Sequence, residues 1–371
     1  MPLIDLVVGT PVTQTARVQQ LNGLFDVPPA DRAERRWSVD LPTDSFDWQV
    51  GLIVGPSGSG KSTLARAAFG NELVSGYDWP ADRAVVDGFA AGLGIKDITA
   101  ALSSVGFSTP PAWVRPFHTL SNGEQFRAFL ARTLLDPRPV VAVDEFTSVV
   151  DRTVAKIGSA AVAKAVRRTP GKKFVAVTCH ADVEEWLCPD WVVVMPSGEF
   201  ARRSLRRPDI TLEVRRVHSD AWGRFKHHHY LDTTLNKAAK CFAAFWDGRA
   251  VAFTASLAFP HPVRPGWREH RTVCLPDFQG VGIGNTLSEF VAGVMRCLGP
   301  YRSTTGNPAM IRHRAKSSVW KMTTKPTMNG RHTGGRSGNK PKFANANFRN
   351  TAGFEYVGPR RPDDARRMGI I

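Results

Sequence analysis

Gly55-Pro56-Ser57-Gly58-Ser59-Gly60-Lys61-Ser62 lies between the apolar run Val50 to Val54 and a stretch that reads as a helix from Ser62 onward. The segment fits G-x-x-x-x-G-K-[ST], and strand, loop and helix follow in the order that pattern requires. Glycines let backbone N–H groups curl around phosphate oxygens, and the helix N-terminus adds partial positive charge. Gly55, Ser57, Gly58, Ser59, Gly60, Lys61, Ser62 and Thr63 are therefore expected to cradle the phosphates of ATP. Lys61 would reach the β- and γ-phosphates, and the Ser62 hydroxyl would ligate Mg²⁺.

Four further segments follow in order: Leu120-Ser121-Asn122-Gly123-Glu124-Gln125, Val140 to Glu145, Ser148-Val149-Val150-Asp151, and His180 after Phe174 to Cys179. Val140 to Val143 reads as a buried strand that delivers Asp144 and Glu145 at its carboxyl end, where open α/β sheets bind ligands. Asp144 would hold Mg²⁺ and Glu145 would polarise the attacking water. With these segments in place, residues 1–205 resemble the ATP-binding cassette (ABC) family. Ser121, Asn122 and Gly123 look like its signature, with asparagine replacing one glycine. Asp151 looks like part of the loop after the catalytic glutamate, and His180 like the switch histidine. Trp37 stands where the family stacks an aromatic on adenine, although a core tryptophan reads equally well.

The resemblance implies that the signature serine and glycine touch the γ-phosphate bound by an opposite subunit. ATP would then drive a head-to-tail homodimer with two nucleotides sandwiched between subunits. Two departures stand out. No glutamine lies between Lys61 and Glu124, so the family's glutamine loop is missing or replaced, with Asp87 a substitute in view. The stretch from phosphate loop to signature is also short. Both changes fall where transporter ATPases grip membrane partners, which implies a soluble, switch-like ATPase.

The 371 residues allow two or three domains. No run approaches the roughly 18 apolar residues that span a bilayer, and the N-terminus lacks a signal-peptide layout. Five scattered cysteines without a C-x-x-C pair fit a reducing compartment, so the expectation is cytoplasmic, with no membrane partner. Net charge is +16, and Tyr301 to Ile371 holds 15 Lys and Arg against three acids. Lys321 to Lys342 reads as a flexible basic loop. Such a distribution suits phosphate backbones, so DNA or RNA is the expected partner.

Arg206-Arg207-Pro208 reads as a linker. Beyond it, Cys241 to Phe245, the turn Asp247-Gly248, and Ala250 to Ala258 read as a hairpin. Arg271 to Leu275 reads as a strand, and a helix is expected from Asn285 to about Cys297. Gln279 to Gly284 lies between them. Its glycines suggest a dinucleotide fold at first, but no acidic partner sits about 20 residues on, and the hairpin is wrong for it. Gln279-x-x-Gly282-x-Gly284 instead resembles the pyrophosphate loop of GNAT N-acyltransferases, which implies that Gln279, Gly280, Val281, Gly282, Ile283 and Gly284 bind acetyl-CoA or another acyl-CoA. Gly353 to Gly358 looks like that family's closing strand, so the likeness covers Leu212 to Gly358.

Within it, His229 and Tyr230 are first choices for acceptor binding or proton transfer, in a short stretch similar to Mom-type phage DNA-modification proteins. The run His227-His228-His229 also reads as a polar loop or as metal ligands. Tyr301 is expected to protonate a departing thiolate. Glu269, His270 and Arg271 are further choices on the strand before the loop. Trp320, near Arg312 and Arg314, either stacks on a base or packs in a core.

The expected fold class is α/β. A P-loop ABC-type domain (1–207) is followed by an α+β GNAT-like domain (208–358, with a flexible basic insertion at 321–345) and a basic tail (359–371). Three functions compete: an ATP-dependent acyltransferase for a nucleic-acid base, an acyltransferase for protein or small-molecule amines with a regulatory ATPase, and an ABC-type ATPase of repair or transport with a non-catalytic C-terminal domain.

Overall fold

The computed structural model describes residues 3–229, 233–328 and 350–371. In chain order its first half holds β1 (Leu3–Pro11), α1 (Ala16–Phe25), β2 (Arg32–Asp40), β3 (Val50–Val54), α2 (Lys61–Phe69), β4 (Leu73–Val74), α3 (Ile95–Ser104), α4 (Pro110–Trp113), α5 (Asn122–Leu135), β5 (Val140–Val143), α6 (Arg152–Val166), β6 (Lys173–Thr178), α7 (Glu184–Leu187), β7 (Trp191–Val194) and β8 (Glu199–Arg202). The second half holds β9 (Glu213–Val217), β10 (Lys240–Trp246), β11 (Arg249–Phe259), β12 (Gly266–Cys274), α8 (Ile283–Met295), β13 (Tyr301–Thr305), α9 (Pro308–Lys316), β14 (Trp320–Met328), β15 (Asn350–Tyr356) and α10 (Pro362–Arg367).

Two compact units emerge, and they do not follow chain order. The first gathers residues 1–77, 136–150 and 162–207; the second gathers 78–135, 151–161 and 208–371.

In the first unit, six strands run β4-β5-β6-β3-β7-β8. β3 pairs parallel with both β6 and β7, and only β8 is antiparallel. All five residues of β3 are buried, which explains why Val50 to Val54 shows no polar alternation. Asp190 fixes the start of this strand, its Oδ2 accepting the N–H groups of Gln49 (2.8 Å) and Val50 (2.9 Å). The hairpin β1–β2 adds Leu6 and Val39 to a core built on Ile53, Leu64, Phe69, Val175 and Trp191.

In the second unit, a seven-stranded sheet runs β14-β15-β13-β12-β11-β10-β9. β10 and β11 form the expected hairpin, and Asp247 (φ 49°) and Gly248 (φ 74°) turn it with left-handed backbone. β12 begins earlier than the Arg271 read from sequence, and α8 begins two residues before Asn285. α8 packs Leu287, Val291, Ala292 and Met295 onto Phe242, Phe253 and Phe354.

One expectation is overturned. Lys321 to Met328, read as the start of a flexible basic loop, forms strand β14 against β15 with two register shifts. Backbone pairing with a strand that returns from residue 350 supplies order that the polar composition does not advertise. The rest of that stretch, through residue 345, lies outside the described residues, as does Tyr230.

Candidate functional site

The first cradle is built on β3 and α2. Gly58 (φ 74°) and Gly60 (φ 94°) take left-handed backbone, and Gly60 becomes the N-cap of α2, so Lys61, Ser62 and Thr63 open the helix. Ser59 Oγ is buried with no hydrogen-bond partner among the described residues, which leaves a donor of the kind a phosphate oxygen accepts. Lys61 Nζ donates to Pro56 O at 2.7 Å. Arg35, Arg36, Trp37, Pro56 to Ser59 and Pro196 line a hollow of about 400 Å³ next to Gly55. Trp37 on β2 stands against the loop, its ring 3.0 Å from where a Cβ on Gly60 would lie.

β5 delivers Asp144 and Glu145 beside this cradle. Ser62 Oγ donates to Asp144 Oδ1 at 3.0 Å, and the same oxygen accepts the N–H of Glu145 at 2.9 Å. A hydroxyl and a carboxylate so paired are hard oxygen donors that fit Mg²⁺. Glu145 is exposed and held at φ 51°, outside the usual range for its type. His180 follows β6, with Nδ1 3.3 Å from Thr147 Oγ1, which ties it to the turn after Glu145. Asp144, Glu145 and His180, distant in sequence, thus share the carboxyl edge of one sheet.

In the second unit, Ser121 caps α5. Its Oγ and its N–H both meet Glu124 Oε2 at 3.0 Å, a reciprocal S-x-x-E box. Ser121 and Asn122 remain exposed, and Gly123 is partly so. Asp151 caps α6 by accepting from the N–H of Thr153 at 2.8 Å. That backbone bond holds its carboxyl below the usual carboxylate range.

The second cradle lies between β12 and β13. These strands pair in parallel only at Trp267–Tyr301 and Arg268–Arg302, although both continue well beyond. A cleft of about 830 Å³ opens where the pairing stops, and Gln279, Gly280, Gly282, Ile283 and Gly284 line it. Gly280 (φ 97°) and Gly282 (φ 104°) have left-handed backbone, and Gly282 is the N-cap of α8. Val281 is partly buried against the core beside it. A glycine-rich helix start thus lines a cleft, and helix N-termini of this kind favour a pyrophosphate. β12 carries a bulge at His270, between the pairs Ala255–Arg271 and Ser256–Glu269. The bulge helps bring Arg268 to Cys274 to the cleft wall without a break.

Glu269 is spoken for. Its carboxylate accepts from Thr272 Oγ1 (2.6 Å), Ser288 Oγ (2.7 Å), Ser303 Oγ (2.5 Å) and Arg314 Nη2 (2.9 Å). Burial works against its charge, but Arg314 and the three hydroxyls outweigh it and hold the carboxyl below its ordinary range. Glu269 is therefore a fixed anion rather than a base. Burial pushes the Cys274 thiol up to about 12, so it stays protonated and is no nucleophile.

His228 and His229 both line the cleft. Burial, then its neighbour His227, lowers the pKa of His228, which keeps the ring neutral near pH 7. The described residues hold no cluster of three or more His, Cys, Asp and Glu placed for a metal.

One expectation is corrected by position, and one open alternative is decided. Tyr301 has no exposed surface, and its hydroxyl meets Ser256 Oγ at 3.1 Å in the core. Burial raises its pKa and it stands outside the cleft lining, so it is not placed to protonate a thiolate. Trp320 is buried against Tyr356 and Tyr301, which settles the core alternative over base stacking. Arg268, Arg302, Ser103 and Ser108 line the cleft without having been singled out from sequence.

Comparisons with known proteins find two families along the chain. The chain is 33% identical over 161 residues to the cytochrome c biogenesis ATP-binding export protein CcmA of Roseobacter denitrificans, covering 38% of this chain and 76% of that protein. It is 30% identical over 221 residues to the ATM1-type heavy metal exporter of Novosphingobium aromaticivorans and spans 35% of its length. It is also 30% identical over 186 residues to the Fe(3+) ions import ATP-binding protein FbpC of Serratia marcescens, spanning 53% of it. Residues 207–312 match the Acetyltransferase (GNAT) family. A solved dimeric cassette of a bacterial ABC transporter aligns at 17% identity over 47% of this chain and 94% of its own, with a TM-score of 0.35. The chain belongs to the ATP-binding cassette ATPases and carries a GNAT acetyltransferase domain in its C-terminal region. ATP and an acyl-CoA are the ligands those two families imply. No helix among the described residues is long and apolar enough to cross a membrane.

Proposed function

We propose that the protein is an ATP-dependent N-acyltransferase that modifies an amine on a nucleic-acid base. The observation that carries this reading is the cleft between β12 and β13, where a pyrophosphate cradle and a cationic wall meet. Arg268, Arg271 and Arg302 line it, and Glu269, an acid among its lining residues, is neutralised by Arg314. Such a wall favours an anionic acceptor over a lysine side chain or a cationic amine.

In the reaction, the acceptor nitrogen attacks the thioester carbonyl. A C–N bond forms, the C–S bond breaks, and coenzyme A leaves as the thiolate, which takes up a proton from water. His228 or His229 would take the proton lost by the nitrogen. Tyr230, the other half of the Mom-like pair, lies outside the described residues. The half-buried, protonated Cys274 argues for direct transfer rather than a cysteinyl intermediate.

In the cassette, Ser62 and Asp144 would hold Mg²⁺, Glu145 would orient the water, and His180 would sit beside the γ-phosphate. Ser121 to Gly123 of a second copy would close each site. A base must leave its stack before it can be acylated, at a cost of a few kcal/mol, and an ATP-driven clamp could help to meet that cost. The test is mass spectrometry of nucleosides from cells that express the protein. An acyl mass added to one base is expected with the wild type and lost with Gly282→Glu, which sets an anion in the cradle. Unmodified nucleosides, together with acylated protein lysines, would shift the reading to the protein acceptor.

A further inference from the structure

The helical segment that carries the ABC signature also walls the carrier cleft. Just beyond α3, Gly106 (φ 87°) meets the carrier loop backbone to backbone. A Cβ added there would lie 2.5 Å from Gln279 O and 3.1 Å from Gly280 N, a clash that only a shift of the loop relieves. From the other side, a Cβ on Gly280 would lie 2.9 Å from Ala161 Cβ and 3.1 Å from Gly106 Cα.

The contact is also specific. Gln279 Oε1 accepts the N–H of Ser108 at 3.0 Å while its Nε2 donates to Cys274 O at 2.9 Å, so one side chain pins the carrier loop to the helical segment and to β12. Ser103 and Ser108 line the cleft itself. α3 packs on α5, the helix whose first turn is the signature.

On α5, Arg127 is 1% exposed, and its Nε and Nη2 have no hydrogen-bond partner among the described residues. Burial lowers its basicity, and Asp277, two residues before Gln279, opposes that effect ahead of Glu124. A buried cation on the signature helix is thus balanced in part by the approach to the carrier loop.

We propose that Ser103, Gly106 and Ser108 are positioning residues of the acyl-carrier site, and that ATP clamped against Ser121 to Gly123 changes the affinity of that site for acyl-CoA. The inference rests on the two-ligand reading above and adds a coupling between the ligands. Such coupling is reciprocal: acyl-CoA must change ATP affinity by the same factor.

Calorimetry on the full chain tests it. Acetyl-CoA is titrated into Glu145→Gln protein with and without saturating Mg²⁺–ATP, and a shift in Kd of about fivefold or more is expected, within the usual range for coupled sites. Equal Kd values in both states overturn the coupling while leaving the acyltransferase reading intact. Absence of acetyl-CoA binding in both states removes that reading, and this inference with it. Gln279→Leu supplies the second measurement: binding weakened but no longer dependent on ATP supports the positioning role. A Gln279→Leu protein whose ATP dependence is undiminished overturns it.

Discussion

Arg314 and Glu269 form an ion pair at 2.9 Å with side-chain exposures of 1% and 7%, set beneath the carrier cleft. Removing one charge would strand the other in the core. Arg314→Leu is therefore expected to cost about 3–5 kcal/mol, read from the urea midpoint, whereas the double replacement by leucine should recover much of the loss. The sign of the pH effect follows from the depressed carboxyl of Glu269. Its stabilisation is present above the unfolded carboxylate pKa, about 4.3, and is lost as pH falls through the lower folded value. A wild-type stability that falls no faster with acid than that of the leucine pair would contradict this account. Sequence alone placed Glu269 on the strand leading to the loop. It did not reveal the neutralising partner, because Arg314 lies 45 residues away on another element.

Among the elements, two share one design: a strand feeds a glycine-rich turn that becomes a helix N-terminus. β3 to α2 and β12 to α8 were both legible, because each depends on a few consecutive residues whose φ values only glycine adopts without strain. The acidic pair at the end of β5 was legible for a similar reason, since a buried strand must end where polar residues resume. The first cradle carries its own prediction. Lys61→Ala should abolish ATP binding, and Glu145→Gln should trap ATP and shift the protein to dimer on gel filtration. A Glu145→Gln protein that binds ATP yet elutes as a monomer removes the sandwich. β14 was missed for a different reason. Residues rich in Thr and Lys carry little apolar alternation, and β14 pairs with β15, which begins at residue 350. Strand formation there depends on the partner rather than on intrinsic preference.

For the whole molecule, the charge of +16 is the governing quantity. If acceptor binding neutralises six to ten phosphates, affinity for an oligonucleotide should fall by about 10³–10⁵ between roughly 50 and 200 mM salt. Fluorescence anisotropy with a labelled strand measures this directly. Weak binding that ignores salt would remove nucleic acid as the partner.

Local sequence was enough to anticipate the two glycine-rich strand-to-helix turns, the acidic pair after β5 and the Asp-Gly hairpin, since each is a matter of neighbours along the chain. Folding alone brought Ser108 to Gln279 across 171 positions, put Tyr301 in the core and gave Glu269 its counter-charge. Those outcomes turn on which distant surfaces bury one another. Side-chain burial and long-range hydrogen bonds are properties of the packed chain, and no short run of residues encodes them.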